Sequence, residues 1–457
     1  MILLRRPNTV AWWRFLIALI ALLDGPGHVE AQVPAAPGGA SVRPSQVQGQ
    51  ELTLDEAIKT ALASEPNIQA RLHDYEAARF RVNQALAPIL PQFTGTWTAN
   101  RQQTQFFSGA IGREGEATPL FSTNQTARVT FSQILFDFGK TFAATDVARA
   151  QAEASRLDAE IQKDQVVLAV KEAYFNLLLA KRLVTVNLAA FERAELNLKS
   201  ARGFFQVGIR PKSDVTRAEV DVANARVNLI RARNAVSLAR VALNTAMGTS
   251  IDAPTEVKDI LAYQPHPLEP SQLLSEALQQ RAEYRRVNTL VTSADASIRR
   301  AFRDFFPDVS GSGSYGGTFR NPRRVTDLEE IWELTLSLNW SLFDGGGRNA
   351  RYQEAKKSLE AARARVQALE LSIWQEVVQA HLSLQEAGER IGAAQKAVES
   401  AQENFRLAQG RFDAGVGTIL ELTDAQVALT QAQATEAQAL ADYRIAIARV
   451  ERALGRR

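Results

Sequence analysis

Apolar and polar residues follow two very different periods along this chain. From Thr141 to Arg202 there are 62 residues without glycine or proline. Apolar side chains recur there at helical spacing (Val166, Val167, Val170, Ala173, Tyr174, Leu177). Lys212 to Met247 is a second such stretch of 36 residues. At 1.5 Å per residue the longer one would span roughly 95 Å, whereas helices of globular domains average about 11–12 residues. A rod of that length needs neighbouring helices along its whole course. The other period is two. Trp332, Leu334, Leu336, Leu338, Trp340 and Leu342 alternate with Glu333, Thr335, Ser337, Asn339 and Ser341. This is the layout of a lipid-facing strand with Trp332 and Trp340 as interfacial girdles. Weaker alternations run through Phe93, Gly95, Trp97 and Ala99, through Ala127, Val129 and Phe131, and through Val309, Gly311, Gly313 and Tyr315. A soluble sheet packed on one face is the alternative. Four strands cannot close a membrane barrel, for which about eight is the smallest number. Open edges in lipid leave unpaired backbone groups at a cost of several kcal/mol each. Strands of this kind in a bilayer therefore demand several copies sharing one barrel.

The pattern is written twice. Pro91-Gln-Phe-Thr-Gly95 aligns with Pro307-Asp-Val-Ser-Gly311, and Ala61-Leu62 with Ala277-Leu278, at an offset of 216. Leu135-Phe136-Asp137-x-Gly139 then aligns with Leu342-Phe343-Asp344-x-Gly346 at 207, and this second register holds through Gly203/Gly410, Gly208/Gly415 and Gly248/Gly455. The change of offset predicts a longer loop between residues 95 and 135 in the first copy. Each copy reads as helix, two strands, very long helix, turn and return helix. The expected organisation is a first repeat over 51–248 and a second over 273–457, joined by a proline-rich linker at 249–272. In the first, the strands are expected at 92–104 and 125–136, the long helix at 141–205 and the return helix at 213–247. In the second they fall at 308–319, 331–343, 348–412 and 419–454. An early helix of about residues 55–88 and the return helix, stacked end to end, would flank the rod along nearly all of it.

Composition narrows the function. Arg5, Arg6 and Arg14, the apolar run Phe15–Leu23 and Val29-Glu30-Ala31 form a secretory signal over 1–31. Residues 32–50, rich in Pro, Gly, Ser and Gln, read as a disordered lead-in. The chain has no cysteine, which removes disulfides, thiol nucleophiles and a lipidated cysteine, and its four histidines (28, 73, 266, 381) show no ligand spacing. A net charge of +3 makes no case for nucleic acid. No catalytic residue, metal site or cofactor is expected. Asp137-Phe138-Gly139, Gly311-x-Gly313-x-x-Gly316 and Gly345-Gly346-Gly347 imitate kinase, dinucleotide and phosphate motifs but lack the required context, and read as tight backbone packing.

The order of these features resembles the outer-membrane efflux family typified by TolC. The features are the opening Leu52-Thr53-Leu54-Asp55-Glu56-Ala57, the Leu-Pro-Gln at 90–92, the Leu-Phe-Asp-x-Gly junctions and the paired Val-Gly turns near 208 and 415. The resemblance implies a mainly α fold with a small β part, assembled as a homotrimer. Its twelve strands would lie in the outer-membrane lipid, continuous with a twelve-helix periplasmic α-barrel. It implies a passive exit duct of a tripartite pump or type I secretion system, with a periplasmic adaptor and an inner-membrane transporter as partners. A periplasmic adaptor or a coiled-coil scaffold without a pore is the alternative.

The far end of the rods is then the entrance. Gly208, Ile209, Gly415 and Val416 mark the reversing turns, which the resemblance makes adaptor contacts. Asp214, Glu421 and Asp424 follow the turns; helix capping is one reading of them, and a cation-favouring throat is what the resemblance implies for Glu421 and Asp424. The family's gating arginine falls at Gly417 here and its hydrogen-bonding tyrosine at Phe412. Arg210 and Arg217 stand at the first-copy positions equivalent to Gly417 and Asp424, so either is expected to pair with Glu421 or Asp424 and hold the entrance closed. Nothing in the sequence identifies the cargo.

Overall fold

The computed structural model describes residues 51–107, 117–265, 270–320 and 328–457. The expected signal and lead-in, residues 108–116, and part of the proline-rich linker lie outside the described residues. In chain order the elements are α1 (Leu54–Ser64), α2 (Pro66–Leu86), β1 (Gln92–Phe107), β2 (Ala117–Phe136), α3 (Lys140–Gln206) and α4 (Lys212–Ala246). The second copy contributes α5 (Pro270–Gln280), α6 (Ala282–Arg303), β3 (Asp308–Arg320), β4 (Leu328–Asn339), α7 (Gly347–Asp413) and α8 (Ile419–Leu454). The long helices α3 and α7 have 67 residues each, about 100 Å at helical rise.

The early helix expected over 55–88 is broken in two, and so is its counterpart. Thr53 and Glu56 open α1 with a reciprocal capping box. The chain then leaves helical geometry at Glu65 (φ −70°, ψ 120°), because Pro66 disfavours a helical residue before it. The Glu65 carboxylate accepts the Ile68 amide at 3.0 Å and starts α2. Arg281 makes the same break (φ −66°, ψ 127°) without a proline. Each break receives the end of a return helix. Gly248 (φ +66°) lies so close to it that a Cβ would sit 2.8 Å from the Glu65 Cα, and Gly455 (φ +78°) meets the Arg281 amide at 3.0 Å. Only glycine satisfies both the angle and the space. Early and return helices therefore abut end to end beside the rod.

Two apolar clusters form at this height. One gathers Ile68, Val170, Tyr174, Phe175 and Leu243; the other gathers Ile373, Leu384, Ile391, Tyr443 and Val450. Helix α8 serves both, offering Ala437, Ala441 and Ile445 to the first and Ala439, Tyr443 and Ala446 to the second. The Tyr174 hydroxyl donates to the carbonyls of Leu52 and Lys258 at 3.0 and 2.8 Å, clasping the rod to the bridge between Leu52 and Val257.

The four strands form one antiparallel sheet in the order β1-β2-β3-β4, so its outer members are β1 and β4. The β1–β2 ladder is paired from Gln92↔Ser132 to Phe107↔Ala117. The residues expected as a long first-copy loop thus extend the hairpin: β1 passes 104, and β2 begins at Ala117 rather than 125. Conversely, β4 begins at Leu328 and stops at Asn339 instead of running from 331 to 343. Its last partner is Asp308, where β3 starts. Beyond that point Trp340 finds another acceptor, its indole N–H donating to the Phe305 carbonyl at 3.2 Å. The pairing register puts Phe93, Trp97, Val129, Tyr315, Trp332, Leu334, Leu336 and Leu338 on one face. These side chains are exposed, Leu334 to 83%.

Candidate functional site at the rod tips

At the far end from the sheet, two reversals close the α3–α4 and α7–α8 hairpins. Gly208 and Gly415 take φ +76° and +79°. In the first, the amides of Gly208 and Ile209 donate to Phe205 and Phe204. In the second, those of Gly415 and Val416 donate to Phe412 and Arg411. The Thr418 hydroxyl accepts the Glu421 amide at 3.2 Å and starts α8. The two turns share a small core of Phe412, Ile419 and Leu422, against which Phe204 packs edge-on at 5.7 Å.

Arg210 joins the turns. Its guanidinium lies 4.8 Å from the centre of the Phe412 ring and donates to the Gly417 carbonyl. The Asp214 carboxylate stands 3.8 Å away on its own helix. Both side chains are largely enclosed, 12% and 15% exposed, a setting in which cation–π and ionic contacts are weakened less by water. The Arg210 cation of the first turn is thus received by a carbonyl and a ring of the second.

Within the chain Arg210 does not meet Glu421 or Asp424, as the sequence had suggested; the one-turn spacing to Asp214 and the packing of Phe412 take it elsewhere. Glu421 pairs instead with Arg411, at 3.2 Å across the second turn. Arg217 and Asp424 are exposed, and neither has an ion-pair partner within the chain among the described residues. Sequence reasoning missed Arg411, and took Phe412 as a lost hydroxyl rather than as a ring that receives Arg210. The spacing from Arg411 to Glu421 across a glycine turn was the available signal for the first. Ile209 and Val416 project into solvent at 61% and 72% exposure, with Val207 beside them. Above the tips, the Thr423 hydroxyl donates to Asp221 at 2.9 Å and Asn197 to Gln426 at 2.7 Å, tying α8 to α4 and α3.

Among the described residues no cluster of three or more His, Asp or Glu is placed to hold a metal, and no helix is long and apolar enough to cross a membrane. The sequence pattern of the outer membrane efflux protein family matches residues 57–249 and 273–456, both repeats in turn. The chain belongs to that family. Members of the outer membrane efflux protein family are channel proteins rather than enzymes, and this one is an outer-membrane efflux channel. Its sequence is 25% identical over 417 residues to the outer membrane protein TolC of Escherichia coli, covering 88% of this chain and 82% of that one. It is 23% identical over 414 residues to the toluene efflux pump outer membrane protein TtgC of Pseudomonas putida, covering 87% and 84%. Its fold matches the outer-membrane channel OprN with a TM-score of 0.74 at 21% identity, over 88% of this chain and 89% of that one. The Campylobacter jejuni CmeC outer membrane channel gives 0.74 at 19% identity, over 88% and 85%. The adaptor and scaffold alternatives gain no support.

Proposed function

We propose that three copies of this chain close one twelve-strand barrel in the outer membrane, continuous with a twelve-helix barrel beneath it. The assembly serves as the passive exit duct of a tripartite pump or type I secretion system. The observation that carries this is the sheet: four strands with one continuous apolar face and two outer members, β1 and β4, whose outer edges pair with no strand among the described residues. Such a sheet is tolerable in lipid only when other copies complete it. The duplication supports the same ring. Val167 and Phe175 of α3 are buried against the rest of the chain, while their equivalents on α7, Trp374 and Leu382, are exposed. A neighbouring copy would cover them as this chain covers its own α3.

In this reading the tips are the periplasmic entrance. Three sets of Glu421 and Asp424 line it, Glu421 balanced by Arg411 and Asp424 without an ion-pair partner in its own chain among the described residues. Arg210, beside Asp214, clasps the two turns of each copy. Gly208, Ile209, Gly415 and Val416 present the docking knuckles for a periplasmic adaptor, and an inner-membrane transporter supplies the energy.

Because the chain has no cysteine, paired cysteines can be scanned along β1 and β4. Oxidised outer membranes should yield covalent trimers for at least one register. Monomers alone at every register would overturn the closed ring. In planar bilayers, Arg210→Ala should raise the closed-state conductance several-fold, and Arg217→Ala should not. Unchanged conductance in Arg210→Ala would remove the clasp.

A further inference from the structure

The sheet's other face is mainly polar, with charges at Asp308, Glu333, Arg128 and Glu329. Its successive rows, from the outer side inwards, are Thr96–Arg128–Gly316–Ile331, Thr94–Thr130–Ser314–Glu333, Gln92–Ser132–Ser312–Thr335 and Ile134–Ser310–Ser337. Arg128 and Glu333 are the two charged residues in these rows, and they find each other. The Arg128 Nη1 lies 3.8 Å from the Glu333 Oε2, with the side chains 32% and 61% exposed. To do so Arg128 of β2 reaches across the whole of β3. It passes Gly316, where a Cβ would sit 2.1 Å from the Ala127 carbonyl oxygen and 2.7 Å from the Arg128 Cα. The Thr335 hydroxyl donates to the same Glu333 carboxylate at 3.2 Å. One row further out, Glu329 carries the next carboxylate.

We propose that Arg128 and Glu333 form a charge-balanced ring that determines the ion preference of the membrane section of the duct. This rests on the barrel reading, which turns the polar face inward. Three arginines and three glutamates then stand in two adjacent rows of a mainly polar wall, with Glu329 one row further out and Asp308 at its inner end. Within each copy the two charges cancel, so these two rows add no net charge to the wall of the duct. Loss of either partner leaves three like charges, whose field extends about 10 Å at 0.1 M salt and about 30 Å at 0.01 M.

The test is reversal potential across planar bilayers in a dilute potassium chloride gradient. It is made in a Glu421→Gln, Asp424→Asn background, so that the entrance does not mask the barrel. Glu333→Gln should lower the cation-to-anion permeability ratio about two-fold and Arg128→Gln should raise it by a similar factor, with the double variant back at the background value. Opposite signs distinguish a charge ring from a merely structural pair. Should either variant fail to insert, Glu333→Cys can be modified in the assembled channel with methanethiosulfonates of either charge. The anionic reagent should restore the original ratio, and the cationic one should drive it toward anions. A conducting channel whose ratio ignores all these changes, or moves in one direction for both variants, overturns the ring while leaving the barrel intact. If instead the parent channel neither trimerises nor conducts, the barrel reading itself falls.

Discussion

Helices α4 and α8 occupy the same place in the two copies, 207 residues apart, yet α8 buries fourteen of its residues and α4 only five. The difference lies in equivalent positions. Leu238 is 63% exposed where Ile445 is 8% exposed, and Ile230 and Val241 are bare where Ala437 and Ala448 are enclosed. Both helices carry an apolar stripe, but α8 lies between α3 and α7, whereas α4 packs chiefly on α3. The duplication has produced one interface inside the chain and left the equivalent stripe on α4 uncovered within it. In the proposed trimer the exposed apolar residues on α4 would meet a neighbouring copy, in the way that α8 meets α3 within the chain.

The sharpest way to break this comparison is to charge both twins. Ile445→Asp places an unpaired carboxylate in a closed cluster and should cost about 4–5 kcal/mol, with loss of folded protein in the membrane fraction. Leu238→Asp should leave the chain folded by circular dichroism but abolish the trimer seen by light scattering in detergent. A stable Leu238→Asp trimer would mean that the bare stripe is not an interface.

The junctions at Gly248 and Gly455 allow a gentler comparison. Gly248→Ala and Gly455→Ala both force a left-handed residue and a collision, and each should cost about 1–3 kcal/mol. Gly248→Ala should lower the thermal midpoint more, since its Cβ would strike Glu65 backbone at 2.8 Å rather than 3.0 Å as at Gly455.

Acid provides the smallest and most selective probe. In the second copy, Glu276 takes two hydrogen bonds from Arg456, at 2.7 Å each, which hold its carboxyl below the usual range. Burial pushes the Glu283 carboxyl up, but Arg452 and Arg281 beside it more than reverse that and leave it lowered. The first copy has Thr60, Asn67, Thr245 and Thr249 at the corresponding sites. Folded pKa values below the unfolded value of about 4.3 mean that the unfolded state binds more protons on acidification. This stabilisation is complete at neutral pH and is lost as pH falls below about 4. Hydrogen-exchange protection factors should fall first around α5 and the end of α8, and later around α1 and the end of α4. Equal loss at both junctions would remove the asymmetry.

The mainly helical class with a small sheet was legible in the sequence because long glycine-free stretches and strict alternation are local properties. So was the duplication, carried by two constant offsets. Only one of the two early-helix breaks could have been read: Pro66 announces it in the first copy, but nothing in the residues around Arg281 does, where the break meets the return helix ending at Gly455. At the tips, the glycine turns and the acids after them could be found by position. The contacts of Arg210 could not, since they depend on Phe412 and a backbone carbonyl of a turn 207 residues away.

The meeting of early and return helices at Gly248 and Gly455 also restricts how such a chain can change its length. With backbone against backbone at both junctions, a return helix cannot slide to absorb an extra turn. A heptad inserted in α4 must be matched in the lower half of α3, and again in α7 and α8, or the two knuckles will end at different depths. Natural variants of altered reach should therefore gain or lose residues in coordinated sets of four, one in each limb.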